Sequence, residues 1–319
     1  MTGDSESVFI SDMLETSRRR LRLASGLAIG LVLASMGLPG CGSGGTVASS
    51  PGTITVVAAE NFYGDIVRQI GGPFVSVTSV LDDPNADPHL FEPGTAVGAA
   101  VARAKVVIEN GVGYDAWMDK LIAAASHPDV KVVTIAQVLD VSDPAANPHL
   151  WYDVPRLPEI AGAIGNALDS VDPAHSDYYK TLEERFVASL KPLDDAVSAI
   201  KADFAGAPVA YTEPVPGYLL AAAGLVVRTP EAFARAIEEG TDPTPQAVAE
   251  MQALFTDHGV KVLLYNAQAT SPVTDRILQM AMQYAIPVVP VTETIPPGAK
   301  SFQDWQLSQV QALSKALGT

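Results

Sequence analysis

The sequence predicts an α/β protein: two lobes of parallel-sheet βα units joined by a single long linking helix, with a site in the cleft between them. Short β-branched runs alternate with longer helical patterns in both halves of the chain, which is the grammar of parallel βαβ units. Between the halves, the stretch from Pro173 to about Phe204 contains one further proline, Pro192, and no glycine. A short phrase, Ala86-Asp87-Pro88-His89-Leu90, recurs as Ala146-Asn147-Pro148-His149-Leu150.

In the first half, Thr53 to Ala58 reads as a strand and Phe62 to Ile70 as a helix with Phe62, Ile66, Val67 and Ile70 on one face. Phe74 to Leu81 is the next strand and Thr95 to Ala104 the next helix. A strand over Lys105 to Ile108 is closed by Asn110-Gly111. Ala116 to Ala125 is helical, and Val130 to Ile135 is a fourth strand. The central stretch carries Tyr178, Leu182, Phe186, Leu190, Leu193, Val197 and Ile200 at spacings of three and four, an amphipathic helix kinked at Pro192. The second half offers strands at Pro208 to Thr212, Val226 to Arg228, Val260 to Tyr265 and Pro287 to Val291. Helices fall at Gly217 to Ala223, Thr244 to His258, Pro272 to Tyr284 and Trp305 to Leu317. The expected organisation is an export signal at 1–40, a flexible tether at 41–52, a first lobe at 53–170, the linking helix at 171–205 and a second lobe at 206–319.

The charge balance excludes one class of partner. The chain has 20 Lys+Arg against 36 Asp+Glu, a net charge of -16, which repels phosphate backbones; no nucleic-acid partner is expected. With 48% hydrophobic residues it fills real cores.

Before the first strand, Arg18-Arg19-Arg20-Leu21-Arg22 precedes an apolar stretch from Leu23 to Met36, too short to span a membrane convincingly. Leu38-Pro39-Gly40-Cys41 follows and resembles a bacterial lipobox, although Pro39 departs from the usual small or aliphatic residue. Ser17-Arg18-Arg19-Arg20-Leu21 also resembles a twin-arginine signal, so the export route stays open between the general and the twin-arginine pathway. Cys41 is the only cysteine, which rules out a disulfide framework and makes it the expected lipidation site. The Gly/Ser/Thr-rich segment from Gly42 to Gly52 then reads as a tether.

Of five histidines, two follow prolines in the repeated phrase. Each proline stiffens a polar loop, so His89 and His149 are held at loop tips, where open α/β sheets bind ligands; the pair points to a metal. Asp87 or Asn147 would orient a ring from behind. A lone Pro-His is as readily a surface turn, but two near-identical phrases are not. His127, His175 and His258 each have a structural explanation: a polar turn, a helix start and a helix end.

The phrase Asn85-Ala86-Asp87-Pro88-His89-Leu90-Phe91-Glu92-Pro93 resembles the first ligand loop of the metal-binding lipoproteins of zinc and manganese ABC importers, the cluster 9 (A-I) family. Asn110-Gly111-Val112-Gly113-Tyr114-Asp115-Ala116-Trp117 resembles its strand-to-helix turn, and Asn147-Pro148-His149-Leu150-Trp151-Tyr152-Asp153 its second ligand loop. The resemblance extends from about Ile54 to Leu317. It implies two lobes bridged by a long helix and capture of one divalent transition-metal ion, zinc or manganese, in the cleft. It also implies a lipid-anchored protein on the extracytoplasmic face of the cell membrane, docking as a monomer on the importer's permease.

The resemblance assigns the third ligand to Glu213, after the strand Val209-Ala210-Tyr211, as in manganese-type members. The fourth departs from the pattern. The family strand usually ends in Glu, with an aspartate ligand a few residues on in manganese-type members. Here Val262 to Tyr265 ends in Asn266-Ala267-Gln268-Ala269-Thr270, and no carboxylate appears before Asp275, inside the next helix. Asn266, Gln268 or water is expected to complete the shell, with Glu60 a further candidate. Two imidazoles and a carboxylate suit zinc, manganese or iron alike. A metallohydrolase is the lesser alternative, since no general base or HExxH phrase accompanies the ligands; a surface adhesin with a metal site is the other. No enzymatic activity is expected.

Overall fold

The central strand of the first sheet, β1 (Ile54–Glu60), is a run of Ile, Thr, Val and Ala buried along nearly its whole length. A parallel strand covered on both faces has no solvent side to impose alternation, which is why its sequence is almost continuously apolar. The computed structural model describes residues 52–84, 88, 91–125 and 129–318. The expected export signal at 1–40, Cys41, most of the expected tether, His89 and His127 lie outside the described residues. β1 pairs in parallel with β2 (Val75–Leu81) on one side and β3 (Val106–Glu109) on the other, and β3 pairs with β4 (Lys131–Thr134). The helices α1 (Asn61–Gly71), α2 (Thr95–Val101) and α3 (Ala116–Ala125) lie on the crossovers, and a single turn, α4 (Ile135–Val138), follows β4.

Three helices lead to the second lobe: α5 (Leu157–Val171), α6 (Ser176–Ser189) and α7 (Lys191–Phe204). The expected linking helix is therefore present but divided at Leu190, which keeps helical angles between two segments of 14 residues each. Pro192 is the cause. It has no N–H for the Ala188 carbonyl, and its ring crowds that carbonyl, so the chain bends there. Leu193 and Asp194 both return their N–H groups to Leu190 O, at 2.9 and 3.0 Å.

The second lobe repeats the plan of the first. β5 (Pro208–Tyr211) lies between β6 (Val226–Val227) and β7 (Val262–Asn266), with β8 (Val288–Val291) outside β7. The orders β2-β1-β3-β4 and β6-β5-β7-β8 are the same, and all pairs are parallel. The helices are α8 (Gly217–Ala222), α9 (Glu231–Glu238), α10 (Pro245–Thr256), α11 (Pro272–Gln283) and α12 (Phe302–Leu317). Thr244, Ser271 and Ser301 cap α10, α11 and α12 with side-chain oxygens that accept backbone N–H groups.

Both sheets reverse direction at their first strand, so crevices open at the carboxyl ends between β1 and β3 and between β5 and β7. These are the switch points at which open α/β sheets hold ligands. One apolar core joins the lobes, running from Ile66 and Ile108 through Leu193 and Ile200 to Val209, Leu264, Trp305 and Leu313. α12 packs on α7 and on α1, and Phe62 stacks on Trp151 with ring centroids 4.2 Å apart. A wide hinge motion would tear this shared core, so the frame around the cleft is stiff.

Candidate metal centre

His149 follows Pro148 in the loop before a short 3-10 turn, Leu150–Tyr152, and its side chain is wholly buried. Asn147 sets the ring. Its Nδ2 donates to Pro214 O in the second lobe at 2.7 Å, which turns Oδ1 toward His149. That oxygen accepts from the His149 N–H at 3.1 Å and lies 2.7 Å from Nδ1. Nδ1 therefore carries a proton, and Nε2 faces the cleft. The approach depends on Gly217, where a Cβ would lie 2.6 Å from Asn147 Nδ2.

Behind this loop stands Asn110, at the end of β3. Its Nδ2 donates to Pro148 O at 2.8 Å and its Oδ1 accepts from Tyr63 at 2.7 Å. Asp115 accepts the N–H groups of Asn110 and Gly111 at 2.6 and 2.8 Å, fixing the turn. A segment whose sequence reads as a loop is thus held from below by buried polar groups.

Two carboxylates approach from the second lobe. Glu213 follows β5 and Glu293 follows β8, and both are buried. Glu293 Oε2 lies 3.3 Å from His149 Nε2 and accepts from the Tyr114 hydroxyl at 2.9 Å. Asn266, at the end of β7, donates its amide to both carboxylates, reaching Glu293 Oε1 at 2.7 Å and Glu213 Oε2 on its other side. Among the described residues, no three His, Cys, Asp or Glu side chains form a ready metal cluster; the Asn266 amide stands between the two acids.

The Glu293 loop is pinned from several directions. Gln268 Oε1 accepts the N–H groups of Glu293 and Thr294 at 2.7 and 3.0 Å. Asn61 of α1 takes both the N–H and the C=O of Ile295, at 3.0 and 3.1 Å, and Tyr152 donates to Thr292 O at 2.7 Å. Burial disfavours a charged His149, but Glu238, Glu293 and Glu213 together outweigh it and hold its pKa above the ordinary value. In the metal-free protein the Tyr114 hydroxyl and the Asn266 amide donate to the carboxylates, and the His149 ring faces Glu293. A divalent cation entering here would replace these donors with one charge on the same oxygens and on Nε2.

Residues 56–316 match the protein family described as ZnuA, zinc-uptake complex component A, periplasmic. The chain belongs to this family. It is 29% identical over 161 residues to the manganese-binding lipoprotein MntA of Halalkalibacterium halodurans, a match covering 49% of this chain and 53% of that protein. It is 26% identical over 185 residues to the manganese ABC transporter substrate-binding lipoprotein PsaA of Streptococcus pneumoniae, covering 54% and 59%. The chain spans about half the length of the curated relatives it matches. In fold it is similar to the periplasmic zinc binding protein TroA of Treponema pallidum, with a TM-score of 0.71 at 16% identity over 83% of this chain and 99% of that one.

Of the residues singled out from sequence, His149, Glu213 and Asn266 come together in this ZnuA-family cleft, joined by Glu293. His89 and Cys41 lie outside the described residues. Neither amide oxygen expected in the cleft is turned toward His149. Asn266 Oδ1 accepts the Gln268 N–H at 3.0 Å, and Gln268 Oε1 holds the Glu293 loop. The reason is local: both backbone segments leave the sheet with N–H groups that need acceptors. Gln268 Nε2 also reaches Pro84 O, just before the first Pro-His loop, at 3.1 Å. Glu60 is buried beside Asp115 and Glu109. Burial and these neighbours raise its pKa well above the ordinary value, which disfavours the charged form a metal ligand needs. Asp275 bonds Tyr265 in the first turn of α11, and His175 stacks on Phe74 and pairs with Asp172. Glu293 was not among the expected donors, although the sequence carries a signal: Thr-Glu directly follows a strand twice, as Thr212-Glu213 and as Thr292-Glu293.

Proposed function

We propose that this chain captures one divalent transition-metal ion, zinc or manganese, outside the cytoplasm and delivers it to the permease of an ABC-type importer. The observation that carries the reading is the buried His149 Nε2 facing Glu293, with Glu213 bridged to the same point through Asn266. Burying charge costs free energy unless the charge is paired or coordinates a metal. The ligand set is His89, His149, Glu213 and Glu293, two imidazoles from the first lobe and two carboxylates from the second. Asn266 and Gln268 act as positioning residues in this scheme. Ligands from both lobes make the ion a cross-link, and the shared core restricts closure to the loops that carry them. Membership of the family and the names of its relatives support binding over turnover.

The protein is anchored at the extracytoplasmic face of the membrane through lipid on Cys41, with residues 42–52 as the tether, and it works as a monomer. Two carboxylates beside two imidazoles favour manganese more than a three-imidazole set would, while leaving zinc well accommodated. The test is metal analysis of protein purified without a chelator, followed by calorimetric titration with zinc and manganese. Stoichiometric binding that disappears in His149→Ala is the expected result. Failure to bind either ion would overturn the reading.

A further inference from the structure

The cleft holds one carboxylate that the coordination scheme leaves out. Glu238, the last residue of α9, lines a cavity of about 200 Å³ together with Val112, Gly113, Tyr114 and Pro148 of the first lobe. Tyr114 bonds Glu293 and Pro148 precedes His149, so this cavity adjoins the metal centre. Glu238 Oε2 is shielded from solvent and has no hydrogen-bond partner among the described residues. A buried acceptor in that condition costs free energy unless a polar or charged group meets it. Its place on the helix adds to the cost, because a carboxylate in the last turn faces the negative end of the helix dipole, and Glu239 comes next. The arginine of α9, Arg235, three residues before Glu238, pairs instead with Glu231.

Stability therefore does not account for Glu238, whereas cation attraction does. Its place in the cavity sets it beside Tyr114, which donates to Glu293, and Pro148, the residue before His149. A cavity of 200 Å³ holds a cation with part of its hydration shell, each water taking about 30 Å³.

We propose that Glu238 is an entry carboxylate, and that the cavity beside it is a transfer subsite where a partly hydrated divalent transition-metal ion rests on its way to and from the centre. This rests on the reading of the centre given above. A residue on the path lowers the barrier in both directions, whereas a coordinating residue deepens the well, and kinetics separates the two.

The experiment measures association of zinc and manganese by stopped flow, dissociation into excess chelator, and equilibrium affinity, for wild type, Glu238→Gln and Glu239→Gln. Thermal melting checks folding, and loss of a charge at a helix end should leave both variants at least as stable as wild type. Glu238→Gln is expected to slow association and dissociation together by about tenfold, with affinity changed less than about threefold and Glu239→Gln near wild type. Weaker affinity with faster release would make Glu238 a ligand, and equal slowing in both variants would reduce it to general charge steering. Either result, or unchanged rates, overturns the proposal. A wild-type protein that bound neither ion would instead remove the reading of the centre itself.

Discussion

Replacing Glu293 by glutamine tests the centre directly, because it keeps the volume and removes one negative charge. In the metal-free protein the carboxylate is held by Tyr114 at 2.9 Å and Asn266 at 2.7 Å, and it faces His149 Nε2 at 3.3 Å. Metal binding brings in a divalent cation and displaces at most one proton from the His149 ring, so the net change the carboxylate experiences is at least one unit of positive charge. A unit pair at about 4 Å is worth about 4 kcal/mol at an effective dielectric near 20. Glu293→Gln should thus weaken affinity about a thousandfold. Stability without metal should shift little, since the substitution removes repulsion from Glu213 along with attraction to His149. Competition against a coloured chelator at neutral pH measures the affinity, and melting of the metal-free variant measures the fold. If affinity fell by less than about tenfold while Glu213→Gln lost a thousandfold, Glu293 would be a positioning residue and the charge argument would be wrong.

Four further outcomes are expected. His149 is held above its ordinary value of 6.5, so its protonated form stabilises the metal-free protein fully below 6.5, and this contribution is lost as pH rises through the raised value. Metal affinity runs oppositely and should begin to fall while pH is still above 6.5; a titration flat from pH 8 to 5.5 would contradict this. Asn147→Ala should cost about 10- to 100-fold in affinity by freeing the ring, and Asn147→Asp should restore most of it; equal losses in the two would deny the orienting role. Burial raises the Glu109 pKa from 4.5 to about 7, so metal-free stability should decline as pH rises across that window, and Glu109→Gln should flatten the decline in melting temperature. Cys41→Ala should move the protein from the detergent phase to the aqueous phase, and unchanged partitioning would remove the lipid anchor.

The alternation of elements was legible because strands covered on both faces leave continuous apolar runs, as in β1 and β7. α5 was not, since Gly162 and Gly165 interrupt its pattern. At Gly165 a Cβ would meet the carboxylate end of Glu183 on α6, so this glycine leaves room for that side chain. Within the candidate centre, the Pro148-His149 phrase revealed a rigid loop, and Glu213 was found as the residue after β5. Glu293 escaped because sheet order is not written in the chain. The family pattern points to a donor after β7, the next long strand, whereas the second Thr-Glu pair follows β8.

That order also accounts for the residue that departs from the family pattern. β7 lies between β5 and β8, so the residue ending it stands between the side chains that follow the outer two, Glu213 and Glu293. A glutamate there would crowd a third negative charge into a buried space that already holds two. Each added carboxylate would raise the others' pKa values and set proton binding against metal binding. Asparagine reverses the sign of the interaction. Its amide donates to both acids, and its oxygen caps the Gln268 N–H, so one side chain holds the pair ready and keeps the loop in place. Entry of the ion then requires only that the amide give way, with no acidic group left to be neutralised at the centre of the sheet.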